Sequence, residues 1–122
     1  MGNLQRVAPI LNLILTQNLN KMNMIIYEVN LSIETALETS FISWLKTHIN
    51  EMLKFDGFID ASLFIDAENN HTSKNLVVQY KVESMAHLED YFNLHAKRMR
   101  KEALDRFCDG FTATRRILKV EV

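Results

Sequence analysis

From residue 25 onward the hydrophobic pattern changes period in an order that leaves few folds open. It alternates by two, takes up a helical repeat near 3.6, alternates through two further runs, turns helical again and ends on a last alternating run. In 24–31, Ile25, Tyr27, Val29 and Leu31 fall on one side of a strand, with Ile26, Glu28 and Asn30 on the other. Ser32 then reads as a helix N-cap with Glu34 in the first turn, and Leu37, Phe41, Trp44, Leu45, His48, Ile49 and Met52 mark one helical face. Phe55-Asp56-Gly57 ends that helix. Residues 58–66 and 75–83 alternate on either side of the polar stretch 68–73, which predicts a hairpin. Ser84 caps a long second helix running through Phe107, Gly110 lies beyond its end, and 112–121 forms the final strand. Strand, helix, strand, strand, helix, strand is the α+β, ferredoxin-like βαββαβ arrangement: an antiparallel sheet with two helices on one face.

At 122 residues the chain supports one domain with one packed core. Its single cysteine, Cys108, excludes an intramolecular disulfide, and four scattered histidines without Cys-x-x-Cys spacing offer no structural zinc site. A reducing, cytoplasmic setting is expected, with no metal and no cofactor. Residues 1–23 stand apart as an N-terminal extension, helical or disordered, ahead of the domain at 24–122. Leu4, Val7, Leu11, Ile14 and Leu15 recur there at helical spacing, but asparagine and glutamine interrupt the apolar run, so a membrane span of about 20 apolar residues is excluded and a secretory signal is poorly matched. Met22 and Met24 compete as the biological start. The formal charge of −1 hides an asymmetry: residues 28–90 hold 4 basic and 11 acidic side chains, and residues 97–119 hold 8 basic and 3 acidic. The basic quarter is read either as solvated helix surface paired with the acidic remainder or as a place for an anion.

The sheet face turned away from the helices is expected to carry Ile26, Phe58, Phe64 and Val77 mixed with Glu28, Asn30, Asp60, Ser62, Gln79 and Lys81. Such a face is too apolar for water and too polar for a dry core. Pairing with a second copy resolves this, leaving a cavity where the polar groups converge and contributing about 1.5–3 kcal/mol for each large apolar side chain fully buried.

A set of short pieces in fixed order adds to this reading: the opening Met24-Ile25-Ile26-Tyr27-Glu28-Val29-Asn30, Trp44-Leu45 with His48 one turn on, Gly57-Phe58, Gln79-Tyr80, His95-Ala96 with Arg98-Met99-Arg100, Phe107, and Arg115-Arg116-Ile117-Leu118. From Met24 to about Leu118 the chain resembles a family of short bacterial proteins of unknown function. The resemblance implies the dimeric α/β barrel superfamily, in which two ferredoxin-like subunits pack sheet to sheet. That superfamily includes cofactor-independent monooxygenases of the antibiotic-biosynthesis type, isomerases, haem enzymes and ligand sensors, so the fold does not choose among them. The family brings no catalytic residue to carry over, and residues 1–23 lie outside it.

Three constellations are candidates for chemistry. Glu28 and Asn30 on the first strand neighbour Gln79 and Lys81 on the third, and a Glu28–Lys81 pair reads either as a proton-transfer couple or as a structural ion pair. His48 and His95 lie in the apolar stripes of the two helices, suited to a general base or simply to packing at the core margin, with no third ligand of convincing metal spacing. Lys97, Arg98, Arg100, Lys101, Arg106, Arg115 and Arg116 form a basic group that matches a carboxylate or phosphate, Arg115 being the ligand-facing candidate. Nucleic acid is disfavoured, because RNA-recognition domains of this topology present stacked aromatics on the two central strands where this chain has Ile26, Glu28, Gln79 and Lys81. Trp44, Phe41, the methionines and Cys108 read as core, interface or inert positions. The expected function is therefore binding of a small molecule, in one form anionic, in a cavity on the helix-free face of a homodimer. The alternatives are a non-enzymatic dimeric scaffold and an enzyme of the monooxygenase or isomerase type.

Overall fold

The computed structural model describes residues 23–68 and 71–121, and all but the last residue of the extension at 1–23 lies outside the described residues. Strand β1 (Ile25–Glu34) is followed by a 3-10 turn (Thr35–Leu37), helix α1 (Glu38–Met52), β2 (Phe58–Ile65), β3 (Ser73–Val82), α2 (Met85–Leu94), α3 (Ala96–Phe107) and β4 (Phe111–Lys119). The four strands form one antiparallel sheet in the order β2-β3-β1-β4. All helices cover one face, which gives the ferredoxin-like α+β fold.

Strand β1 is longer than its first alternation suggests. Ser32 does not cap a helix; it pairs with Asn75 on one side and Thr112 on the other, and Ile33 beyond it is fully buried. Two neighbouring strands satisfy the backbone of 32–34, so the ladder outcompetes local capping and α1 begins only at Glu38. The second helical stretch is broken. Ser84 caps α2 as expected, its hydroxyl accepting from the His87 N–H, but at His95 the backbone leaves helical geometry (φ −133°, ψ −28°) and α3 starts afresh.

The core lies between the helices and the sheet. Ile25, Tyr27, Leu31 and Ile33 of β1 and Leu76, Val78, Tyr80 and Val82 of β3 meet Phe41 and Leu45 of α1, Leu88 and Tyr91 of α2 and Met99 and Phe107 of α3. Aromatic rings hold its centre, with Phe41 4.7 Å from Phe107 and 5.3 Å from Phe111. One expected member of the opposite face belongs here. The β2–β3 pairing shifts between Phe58, opposite Val82, and Asp60, opposite Lys81. That β-bulge inserts Ile59 and reverses the facing of what precedes it, so Phe58 is buried on the helix side against Phe55, Tyr80 and Tyr91. The chain enters the bulge through Gly57 at φ +81°, where a Cβ would come within 2.3 Å of the His87 ring.

Candidate functional site

On the helix-free face, the register places Gln79, Glu28 and Arg116 side by side across β3, β1 and β4. Glu28 is 3% exposed and is the only buried charged residue among those described. One carboxylate oxygen accepts from Gln79 Nε2 (2.9 Å) and Arg116 Nη2 (3.3 Å), the other from Asn30 Nδ2 (3.0 Å) and Arg116 Nε. Hydrogen bonds from Arg116 first, then Gln79 and Asn30, pull its pKa down to about 2. Burial opposes them only weakly, because what shields this carboxylate from water is chiefly its own polar partners, and Arg116 is 64% exposed. A carboxylate so saturated with donors is a poor base near neutral pH. Its cationic partner is Arg116 in place of the expected Lys81, which lies one row along, opposite Ile26 and Asp60, and whose side chain makes no hydrogen bond among the described residues.

A cavity within the single chain lies on the other side of the sheet. About 260 Å³ of space opens between α1, α3 and the central strands, walled by Tyr27, Phe41, Trp44, Tyr80, Tyr91 and Phe111. All three tyrosines of the chain and its one tryptophan are in that wall. His48, Arg100 and Arg115 supply the basic groups, and no aspartate or glutamate lines it. The His48 ring stacks on Trp44 at 4.6 Å. Its Nδ1 is buried without a hydrogen-bond partner, the Glu102 carboxylate standing 3.8 Å away, too far to accept a proton. Burial lowers the His48 pKa, Arg115 lowers it further and Glu51 opposes, so the imidazole is neutral near pH 7. Arg100 Nη2 donates to the Tyr27 hydroxyl at 3.3 Å. Burial first, then Tyr27, pushes Tyr91 up to about 12, and burial also raises Tyr80, so both phenols stay protonated.

Residues 24–121 match the model of a domain of unknown function, DUF4286. The chain belongs to the DUF4286 family. No curated protein matches it. Among solved structures, this DUF4286 chain is similar to a conserved protein from Methanosarcina mazei Go1 (17% identity, TM-score 0.67, covering 85% of this chain and 99% of that one). It is also similar to SnoaB, a cofactor-independent oxygenase from Streptomyces nogalater (11% identity, TM-score 0.62, 80% and 94% covered). A third similar structure is a candidate antibiotic biosynthesis monooxygenase from Nitrosomonas europaea (11% identity, TM-score 0.63, 80% and 89% covered). At these identities the likeness shows the fold alone, the ferredoxin-like antiparallel sheet with its helices on one face.

In this DUF4286 domain the residues singled out from sequence divide between the two faces. Glu28, Asn30 and Gln79 come together in the ladder with Arg116. His48 and Arg115 meet at the cavity. His95 joins neither; it stacks on Phe55 at 4.3 Å, with Arg98 Nη2 3.3 Å from its Nδ1. Of the basic group only Arg100 and Arg115 reach the cavity, while Lys101 pairs with Asp105 and Arg106 lies over Phe107. The helix-free face carries a more open groove near Asn30, Phe64 and Thr114. The cavity wall does not stand out in the sequence, because Trp44 and Phe41 read as core and Tyr27 and Tyr80 only mark their strand faces. The available signal was tyrosine on the helix-facing side of both central strands, since a buried phenol usually needs a polar partner. Among the described residues no cluster of three or more His, Cys, Asp or Glu side chains is placed to hold a metal ion, and no helix is long and apolar enough to cross a membrane.

Proposed function

We propose that the protein binds a small, largely apolar molecule in the cavity between helices and sheet of each protomer, and that two protomers pair through their helix-free faces. One observation carries the binding reading: an aromatic cavity with the buried His48 Nδ1 left without a partner. An unsatisfied buried polar atom costs about 1–3 kcal/mol, which a ligand able to hydrogen bond there would recover. The pairing is supported by half-buried Ile26 and Val77 and exposed Phe64 around the Glu28 ladder, a mixture that suits a second sheet better than water. An exposed free Cys108 fits a reducing, cytoplasmic setting.

A native mass spectrum of the protein purified gently from its own host tests both statements. A dimer carrying an extra small mass is the expected result. Ala103→Trp, which fills the cavity from α3, should remove that mass and keep the dimer, and Lys81→Met, remote from the cavity, should leave the mass in place. A ligand-free dimer whose spectrum Ala103→Trp does not change would favour a scaffold, and a monomer would remove the pairing.

A further inference from the structure

We infer that the ligand of this cavity is an aromatic carboxylate of one or two rings, its ring between the aromatic walls and its charge at Arg100 and Arg115; the inference rests on the binding reading above. The charge balance at the mouth carries it. Two guanidinium groups border the cavity and no carboxylate does. The Arg115 side chain makes no hydrogen bond and no ion pair among the described residues, and the Arg100 guanidinium meets the Tyr27 hydroxyl and the face of Phe92, 5.9 Å from its ring centroid. The basic residues around them are engaged: Arg98 with His95, Lys101 with Asp105, and Arg116 with Glu28.

The two arginines act on one region, since the charges of both bear on Tyr91 and that of Arg115 also on His48. Both are exposed, whereas Tyr27, Phe41, Tyr80 and Tyr91 beneath them are buried. An aromatic floor under a cationic rim selects a molecule with a flat apolar body and an anionic end. Guanidinium groups bind a carboxylate through paired N–H donors, and the low-dielectric floor strengthens that attraction relative to water. A space of about 260 Å³ lies just below the range of drug-sized pockets, roughly 300–1,000 Å³, and limits the body to one or two rings. Neutral His48 stands at the wall, able to take one hydrogen bond from a hydroxyl on that body.

Trp44 is the chain's one tryptophan and lines the cavity, so its fluorescence reports occupancy directly. Purified protein is titrated with cinnamate, with its neutral counterpart cinnamyl alcohol, and with acetate. Cinnamate should quench Trp44 saturably, with cinnamyl alcohol weaker by about tenfold or more and acetate without effect. Arg115→Met should weaken cinnamate by about tenfold and leave the alcohol unchanged, the alcohol showing that the cavity is intact, and Arg115→Lys should recover part of the loss. Equal affinity for acid and alcohol would overturn the anion and keep the cavity. Displacement of cinnamate by acetate at matched concentration would overturn the aromatic part. Silence from both cinnamyl probes, in fluorescence and in calorimetry, would overturn the binding reading and this inference with it.

Discussion

The two faces of one sheet handle buried chemistry in opposite ways. On the helix-free face a carboxylate at the centre of β1 is surrounded by four hydrogen bonds from both neighbouring strands and its own, leaving it ionised and inert. On the helix side apolar packing supplies the stability, and at the cavity the buried His48 Nδ1 has no hydrogen-bond partner while the exposed Arg115 side chain makes none among the described residues. A satisfied network holds a structure in place, whereas an unsatisfied group in a cavity is where a ligand gains binding energy. In this sheet the polar residues that converge most, Glu28, Asn30, Gln79 and Arg116, are also the ones whose hydrogen bonds are already taken up by one another.

The contrast breaks most severely at Phe41, fully buried among Trp44, Phe107 and Phe111. Phe41→Ala should lower unfolding stability by about 3–5 kcal/mol in chemical denaturation, whereas Thr114→Ala, exposed on the opposite face, should stay within about 0.5 kcal/mol. Comparable losses would mean that the two faces are not differently built.

A smaller effect follows from the ladder. Because the folded-state pKa of Glu28 is held at about 2, below its ordinary value of 4.5, its contribution is fully present above pH 4.5 and is lost as pH falls toward 2. Glu28→Gln should lower stability at neutral pH by on the order of 1–2 kcal/mol, a figure discounted for the exposure of Arg116, and the difference from the parent should close as pH approaches 2. A gap that persists unchanged through that window would show packing, not charge, at this position.

The smallest effect belongs to His48. Burial depresses its pKa, so the unfolded chain binds a proton that the folded one resists, and stability falls as pH drops below the ordinary histidine value near 6.5. His48→Gln should flatten that part of the pH–stability curve. An unchanged slope there would assign the acid sensitivity elsewhere.

Much of the fold was legible because its signals are local. The alternation around Tyr27, the helical stripe from Phe41 to Met52 and the cap at Ser84 each declare themselves within a few residues, and together they give the order of elements. The readings that changed depend on distant partners. Ser32 looks like a cap until Asn75 and Thr112 claim its backbone, and Phe58 looks outward until the bulge at Ile59 is counted. The same holds for the site: His48 and Arg115 were visible as candidates, but not that they share a cavity with Arg100 and three tyrosines.

By itself, then, the sequence determined the order of strands and helical stretches, the family and the facing of most strand residues, since periodicity and capping are properties of neighbouring residues. Only the tertiary structure decided that Arg116 and not Lys81 holds Glu28, and that the cavity opens under the helices. Those outcomes are set by register between strands as far apart as Glu28 and Arg116, 88 residues along the chain, and a shift of one residue in that register would exchange Arg115 and Arg116 between the two faces.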